Sequence, residues 1–348
     1  MQLDQTHVAV RVRTLSEIGD LALVLLHRYP TTLLVGFALG ALPWILLNAA
    51  VLYWIPLTEA QYGLSDDEAF AEISRYLVWM ALLVFLQAPA AGVITTIYLG
   101  QAVFEQKPTW RGAMRAAREQ FWRWFYCLAI RRLAFPVWVY VAFRMFQPVN
   151  PFFDGVVPAL LFLTSLVVRA SRPFLPEMVL LEMCPLRSKD DREITLSRRA
   201  RALHRPAGND VGSRWFSIGI TLLVLFAGFF YSLMFVRGVT TGYWHFGSLF
   251  NYLVIFPLSL WVVAGLSVIV RMIAYLDTRI RLEGWDVELA VRAEAIRQFG
   301  EEAGAVRVTG PSAASVASAE NLNSPGVASP TAASPGTTTR TASTGATT

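Results

Sequence analysis

The sequence predicts an all-α polytopic membrane protein with about six transmembrane helices, cytoplasmic interfacial helices and a disordered C-terminal tail. The first observation is composition: of 348 residues, 55% are hydrophobic and only 16% are charged, whereas about a quarter are charged in a typical soluble domain. The second is that four stretches without charged residues exceed the roughly 20 residues that cross a bilayer. These stretches are residues 31–56, 76–104, 215–236 and 248–270.

Two further spans are predicted in the centre of the chain, at residues 121–146 and 152–170. The first contains Arg131 and Arg132. Two arginines at mid-bilayer would cost about 6 kcal/mol, against roughly 4 kcal/mol gained from the apolar residues around them. If the helix enters from the cytoplasmic face, the pair lies only about 10 Å deep, and its side chains reach back to the headgroups. The predicted membrane domain therefore covers residues 31–277, with spans at about 31–56, 76–104, 121–146, 152–170, 215–236 and 248–277. An arrangement of four spans, without the central pair, leaves every other loop on the same side.

The distribution of basic residues is the third observation, and it predicts the orientation. Three precede the first span, five separate spans two and three, ten separate spans four and five, and seven follow residue 270, so 25 of the 30 lie on one side. Because basic loops stay in the cytoplasm, both termini are predicted to be cytoplasmic in a bacterial inner membrane. Arginines beside membrane spans favour anionic lipid headgroups, rather than nucleic acid, as their partners.

Amphipathic helices are predicted on this cytoplasmic side, each before a pair of spans. They cover about residues 15–28, within an N-terminal segment 1–30, and residues 108–119 and 190–204. In the second, Ala113 and Ala117 share a face while the arginines point away. The third is predicted to be capped by Ser188 with Asp191.

The remaining segments are polar. Residues 278–300 are predicted to continue as a cytoplasmic amphipathic helix, and residues 301–348 consist largely of Ala, Ser, Thr, Gly and Pro, a composition typical of a disordered tail. The first external loop, residues 57–74, is acidic and predicted to be a solvated face. Within it, Ser65 and Glu68 have the spacing of a capping box that starts a short helix.

No catalytic, metal or cofactor site is predicted. The sequence lacks G-x-S-x-G, H-E-x-x-H, P-loop and G-x-G-x-x-G motifs, which supply the common nucleophile, zinc and phosphate-binding elements. Cys127 and Cys184 are far apart, and the four histidines are scattered. The four charge-free spans contain no carboxylate, which disfavours ion-coupled transport. The chain is therefore predicted not to be an enzyme.

The candidate binding residues are cationic. Guanidinium groups match phosphate geometry, so contacts with anionic lipid or phosphate are predicted for Arg131, Arg132, Arg198, Arg199, Arg201 and Arg205. Anchoring at the membrane interface is the alternative role for Arg131 and Arg132. Between residues 171 and 177, two prolines break the helix that leaves the membrane. Glu177 and Glu182 are predicted to form a salt-bridged elbow there with Arg169 and Arg172.

One local run is distinctive. Residues 274–289 read A-Y-L-D-T-R-I-R-L-E-G-W-D-V-E-L. This run resembles the Y-x-D-x-R-x-R-x-E-G-x-D-x-E-L signature that closes the last span in a group of uncharacterised bacterial multi-span membrane proteins. That group is similar to the membrane domain fused to some glycerophosphodiester phosphodiesterases. The resemblance implies a six-span helical module without known chemistry, because the 348 residues do not include the phosphodiesterase catalytic domain.

The charged residues of the same run are spaced for i,i+4 and i,i+2 contacts around the cytoplasmic end of the last helix. We expect them to lock that helix against the base of the membrane domain. The candidate structural signature comprises Asp277, Arg279, Arg281, Glu283, Gly284 and Asp286.

The sequence as a whole predicts a non-enzymatic integral membrane module that scaffolds or assists a membrane-associated complex acting on lipid or envelope components. Its predicted partners are membrane lipids, through anionic headgroups at the cytoplasmic face, and a protein of unknown identity. No cofactor is predicted. The alternative function is translocation of lipid or a small solute along a path lined by Arg131, Arg132 and proline-kinked spans.

Overall fold

A computed structural model of the chain describes residues 13–55, 57, 63–104, 108–145, 151–186, 194–205, 208–245 and 247–283. Within these residues the fold is helical and contains no β-strand, which confirms the predicted all-α class of membrane protein. Of the helix predicted for residues 278–300, residues 278–283 are described and are helical. Its remainder, residues 284–300, and the tail predicted for residues 301–348 lie outside the described residues.

Twelve α-helices and two π-helical turns follow one another in the described residues. In chain order they are α1 (Leu15–Arg28), α2 (Pro30–Leu52), α3 (Asp66–Ala91), α4 (Val93–Phe104), α5 (Trp110–Glu119), α6 (Phe121–Trp124), π1 (Phe125–Ile130), α7 (Arg131–Met145), α8 (Pro151–Ser171), α9 (Leu175–Leu180), α10 (Leu196–His204), α11 (Gly208–Thr241), π2 (Asn251–Ile255) and α12 (Phe256–Glu283).

Side-chain contacts bring several helix ends together at one end of the bundle. Tyr140 of α7 donates a hydrogen bond to the Val51 carbonyl oxygen at the end of α2, 2.6 Å away. The Arg75 guanidinium of α3 lies 5.9 Å from the centroid of the Trp54 ring. The end of α2, the first turns of α3 and the second half of α7 therefore meet at what we call the opposite end.

The other end, which we call the basic end, carries α1, α5 and α10. Asp277 near the end of α12 accepts hydrogen bonds from the Arg13 N–H before α1 (2.7 Å) and from Arg214 in α11 (2.8 Å). Arg169 near the end of α8 lies over the Trp215 ring of α11, 5.3 Å from its centroid. The chain thus passes between the two ends six times, through α2, α3–α4, α6–π1–α7, α8, α11 and π2–α12.

Five segments of the described chain are long and apolar enough to cross a membrane: Pro30–Leu52, Asp66–Ala91, Phe121–Ala142, Gly212–Thr241 and Asn251–Leu282. The predicted fourth span coincides with α8, whose apolar stretch, Val156–Arg169, is shorter. The second span starts earlier than predicted, because α3 begins at Asp66 with the predicted Ser65–Glu68 capping box. The acidic segment is also not wholly solvated. Glu72 is buried, and its Oε1 lies 3.1 Å from Arg75 Nη1.

The interfacial helices lie where the amphipathic pattern places them, with one difference. Helix α1 spans the predicted residues and turns Ile18 and Ala22 inward. Helix α5 buries Ala113 and Ala117. Helix α10 begins at Leu196 rather than near residue 190, and the predicted cap at Ser188 and Asp191 lies outside the described residues.

Close helix packing depends on two glycines. A Cβ at Gly40 of α2 would overlap the Ala91 carbonyl oxygen, and a Cβ at Gly92 would lie 2.6 Å from the Val268 side chain. A larger residue at Gly40 therefore requires backbone movement, and one at Gly92 requires the Val268 side chain to shift. These glycines allow α2 and α12 to approach the junction between α3 and α4.

Helix α11 packs very differently from the other spans. Only 6% of its apolar window is buried, against 50% for α3 and 44% for π2–α12. Its large apolar side chains, including Leu223, Val224 and Phe235, are exposed. A helix with this surface is expected to face lipid along most of its length.

Candidate anion site at the basic end of the bundle

The chain between α8 and α10 folds back into the bundle. Helix α9 has Pro176 in its first turn, where the missing N–H of proline is tolerated. Every residue from Pro176 to Leu180 is buried. This short helix therefore carries the Glu177 carboxylate into the interior, where the residue is 0% exposed.

Glu177 forms an ion pair with Arg271 of α12. The distance from Arg271 Nε to Glu177 Oε1 is 2.6 Å, and the two side chains are only 1% and 0% exposed. Water screens such a pair poorly, so removing one partner leaves an uncompensated buried charge. The predicted partners of the elbow are wrong: Glu177 pairs with Arg271 of α12 instead of Arg169 or Arg172, and Arg172 is exposed.

Two further arginines share this single carboxylate. Arg169 of α8 is 9% exposed, and its Nη1 donates to the Phe85 carbonyl oxygen at 2.8 Å. Arg132 of α7 and Arg169 both interact electrostatically with Arg271 and Glu177. One negative charge therefore faces three positive charges, two of them on buried side chains and the third, that of Arg132, on a half-buried one. We call Glu177, Arg132, Arg169 and Arg271 the Glu177 site.

Several polar atoms of the Glu177 site lack a partner among the described residues. Arg271 Nη1 and Nη2, Arg169 Nε and Glu177 Oε2 are all buried without a hydrogen bond. Rotation of the carboxylate to pair with Arg271 through both oxygens would satisfy Oε2 and one Nη atom. One donor of Arg271 and the Nε of Arg169 would stay unpaired, at a cost of about 1–3 kcal/mol or more for each buried group.

A second carboxylate at the basic end, that of Asp277, has hydrogen-bond donors at both of its oxygens. Asp277 accepts hydrogen bonds from the Arg13 N–H (2.7 Å), Arg214 Nη1 (2.8 Å) and Arg281 Nε (2.9 Å). Arg281 Nη2 also donates to the Arg13 carbonyl oxygen at 2.6 Å. We call these four residues the latch, because they join the chain before α1 to α11 and α12. The contact between Asp277 and Arg281 has the predicted i,i+4 spacing.

A third carboxylate, Glu182, joins the elbow to α10 and α12. Arg199 donates to both of its oxygens at 2.6 and 3.0 Å, and the Tyr275 hydroxyl donates at 2.5 Å. Arg279 Nε lies 3.7 Å away. Burial raises the pKa of Glu182, but the hydrogen bonds from Arg199 and Tyr275 and the nearby guanidinium charges outweigh it and lower this pKa overall. We call these four residues the Glu182 cluster.

The structure separates the residues that the sequence grouped as lipid contacts. Arg131 is exposed, whereas Arg132 is half-buried at the Glu177 site. On α10, Arg198, Arg201 and Arg205 are exposed, but Arg199 turns inward to Glu182.

Of the predicted structural signature, Asp277, Arg279 and Arg281 make the contacts given above. Glu283 is the last residue of α12. Gly284 and Asp286 lie outside the described residues.

Sequence reasoning missed Arg271 because counting by segment assigned it to the cytoplasmic part after residue 270. Arg169 was predicted near Glu177, but as part of the elbow and not of a buried site. A signal for Arg271 was nevertheless present, since five apolar residues, from Met272 to Leu276, follow it directly. An arginine within an apolar run is expected to face the interior of the bundle or a polar cavity. Glu177 lies in a similar run, between Phe174 and Leu181.

The opposite end has a pocket that the sequence did not indicate. Its volume is about 150 Å³, and its lining includes Tyr231, Phe235, Tyr243, Trp244 and Arg237. The Arg237 guanidinium lies 5.6 Å from the Tyr243 ring centroid and donates hydrogen bonds to neighbouring side chains. Aromatic residues of this kind are typical of the interface between lipid and water.

Neither a set of metal ligands nor a known relative indicates a chemical function for these sites. No group of three or more His, Cys, Asp or Glu side chains that could hold a metal ion occurs in the described part of the chain. Comparison of the chain with protein-family models, with curated proteins and with solved structures found no match.

Proposed function

We propose that this chain is a non-enzymatic integral membrane module that scaffolds or assists a complex acting on lipid or envelope components. The observation that carries the proposal is the construction of the basic end. Buried carboxylates of the latch and the Glu182 cluster join α1, α9, α10, α11 and α12. A surface fixed in this way presents its outer side chains in a constant arrangement, which favours docking of a partner.

The outer side chains of this surface are strongly basic. Arg111, Arg115 and Arg118 of α5 are exposed, whereas the alanines of the same helix face the bundle. Arginine is enriched at protein interfaces and also binds anionic headgroups. The basic end therefore suits an acidic partner held against the anionic leaflet of the membrane.

Tagged full-length protein, cross-linked in native membranes and purified, tests this role. We expect one partner to be recovered in stoichiometric amount with the wild type. Replacing Arg111, Arg115 and Arg118 together by Glu is expected to remove it, while the charge change Arg237→Glu at the opposite end is expected to leave it. Absence of any stoichiometric partner, or equal recovery with all variants, would contradict the scaffold role.

We also propose that the basic end faces the cytoplasm of a bacterial cell. The excess of basic residues on one side supports this orientation. The position of residue 150, in the connection from α7 to α8, tests it in a cysteine-substituted chain. Labelling by an impermeant thiol reagent from outside the cell is expected, and labelling from the cytoplasmic side alone would exclude both this orientation and the six-span path.

Translocation of lipid or a small solute is the second candidate function, favoured by the charged Glu177 site between the spans. Purified protein in liposomes is the test, with lipid scrambling or solute flux compared for the wild type and for Arg131→Ala combined with Arg132→Ala. Translocation predicts flux that these changes reduce. Flux no greater than in empty liposomes would exclude it.

A further inference from the structure

The Glu177 site contains more positive charge than the described protein neutralises. Arg271 is 2% exposed and Arg169 is 9% exposed, so neither guanidinium can obtain much compensation from bulk water. Glu177 supplies one negative charge against three positive ones. Buried charges in proteins are paired or bind an ion, so the surplus indicates a ligand of negative charge.

The free donors of the site specify the kind of anion. Both Nη atoms of Arg271 are buried and without a hydrogen-bond partner among the described residues. Two donors on one planar group match two oxygens of a phosphate better than they match a spherical ion. Arg169 Nε adds a donor from a different helix. Donors on two different helices, α8 and α12, suit the tetrahedral arrangement of phosphate oxygens.

A path leads from the headgroup level to the site. A cleft at the basic end is lined by Arg214 and Thr278 at the height of the latch and by Arg271 and Ser267 deeper in the bundle. Arg271 precedes Asp277 by six positions, which corresponds to about 9 Å along a helix. The cleft therefore extends from the level of α1 to Arg271, the member of the Glu177 site that lines it.

The neighbouring helix can open this cleft. The enclosed volume is about 20 Å³, enough for one water molecule and less than a phosphate group needs. One wall is formed by Trp215, Ile218 and Leu222 of α11, the span with only 6% of its apolar window buried. Outward movement of this helix breaks the Arg214–Asp277 ion pair of the latch and the contact of Arg169 with the Trp215 ring, and it widens the cleft toward the lipid.

We propose that the guanidinium groups of Arg132, Arg169 and Arg271 bind a phosphate group, which enters beside α11 and neutralises the positive charge that Glu177 leaves uncompensated. The phosphate belongs to a lipid headgroup or is free phosphate. This site goes beyond the scaffold role, because it lies inside the bundle and does not involve the exposed arginines of α5. Failure to bind phosphate would leave the recovery of a partner unaffected. Failure to recover a partner would likewise leave phosphate binding unaffected.

Thermal unfolding of the full-length protein, delipidated in an uncharged detergent, tests the site with three additives. These are inorganic phosphate, dioctanoyl phosphatidic acid and dioctanoylglycerol, the last having the same acyl chains without phosphate. A ligand that binds the folded state raises the melting temperature with concentration. We expect phosphatidic acid to do so and dioctanoylglycerol to have no matching effect. A response to phosphatidic acid alone assigns the site to lipid, and a response to inorganic phosphate as well shows that the phosphate group suffices. A response to neither overturns the proposal.

Variants decide whether the response arises at the Glu177 site. Arg169→Gln removes one donor but leaves the ion pair between Glu177 and Arg271, so the protein is expected to fold. Losing a hydrogen bond to a charged group should weaken phosphate affinity about tenfold or more. Arg169→Lys is expected to retain part of the affinity. Arg281→Gln, in the latch but not among the residues that line the cleft, is the matched control and should change the affinity less than about twofold. Equal affinities of Arg169→Gln and the wild type would overturn the proposal.

Discussion

The latch and the Glu177 site place similar groups, one carboxylate and several arginines, in opposite electrostatic situations. In the latch, Asp277 accepts three hydrogen bonds, and the Arg214 and Arg281 side chains are 21% and 31% exposed. In the Glu177 site, Arg271 is buried and two of its donors have no partner in the described chain. From this difference we infer that the ion pairs of Asp277 at the helix end are structural, whereas the deeper pair of Glu177 and Arg271 can bind a ligand.

The exposure of the arginines explains this difference, since Asp277 and Glu177 are both 0% exposed. Arg214 and Arg281 reach water, which screens their surplus charge. Arg169 and Arg271 beside Glu177 are buried, and their charges interact in a medium of low dielectric constant. The same kinds of residue therefore form a stable salt bridge near the surface in the latch, and an anion-binding site inside the bundle at Glu177.

Replacement of Glu177 by Gln is expected to have the largest effect on stability. The variant leaves three guanidinium groups without a carboxylate, and we expect a loss of about 3–5 kcal/mol in the free energy of unfolding. Phosphate should restore much of this loss, because the vacated charge favours an anion. Thermal unfolding with and without phosphate measures both effects. Asp67→Asn, at an exposed position of α3, is the control for a change of one charge. A variant that is as stable as the wild type, or one that phosphate does not rescue, would remove the distinction between the two regions.

Replacement of Asp277 by Asn is expected to have a smaller effect, about 2 kcal/mol. Arg214 and Arg281 lose their acceptor but become hydrated, since both side chains are partly exposed. Phosphate should not rescue this variant more than the wild type. Thermal unfolding under the same conditions provides the comparison. A loss greater than that of Glu177→Gln, accompanied by rescue with phosphate, would reverse the roles that we assign to the two carboxylates.

Replacement of Glu182 by Gln is expected to have the smallest effect, and this effect should depend on pH. The pKa of Glu182 is lowered in the folded state, so its ionised form contributes stability above the usual carboxyl pKa of about 4.3. That contribution is lost as the pH falls through the lowered pKa. At pH 7, we expect a melting temperature roughly 2–4 °C below that of the wild type. The difference should shrink once the pH is below about 4. A difference that stays constant from pH 7 to pH 3 would show that charge on Glu182 contributes little.

The sequence predicted helix starts and buried faces where these are determined by residues that are neighbours in the chain. The Ser65–Glu68 spacing predicted a helix start, and it marks the start of α3. Thr14 and Glu17 form a capping box of the same kind at the start of α1, although it was not among the predicted caps. The alternation of apolar residues likewise predicted which face of α5 is buried. In each case residues three or four positions apart determine the outcome.

The candidate site depends on contacts that no local pattern contains. Glu177 and Arg271 are 94 positions apart in the chain, so their pairing depends on how the elbow re-enters the bundle. Arg131 and Arg132 follow π1, and a π-helical turn shifts the phase of the residues after it. The 3.6-residue period alone therefore could not show that Arg132, rather than Arg131, lies at the Glu177 site.

An experimental structure of the full-length protein in bilayers that contain phosphatidic acid tests the central claim most directly. At a resolution that separates guanidinium groups, we expect phosphate density within hydrogen-bonding distance of Arg271 Nη1 or Nη2 and of Arg169. No such density is expected at Asp277. A Glu177 site without bound anion, in which protein side chains satisfy every Arg271 donor, would contradict the distinction between the latch and the Glu177 site.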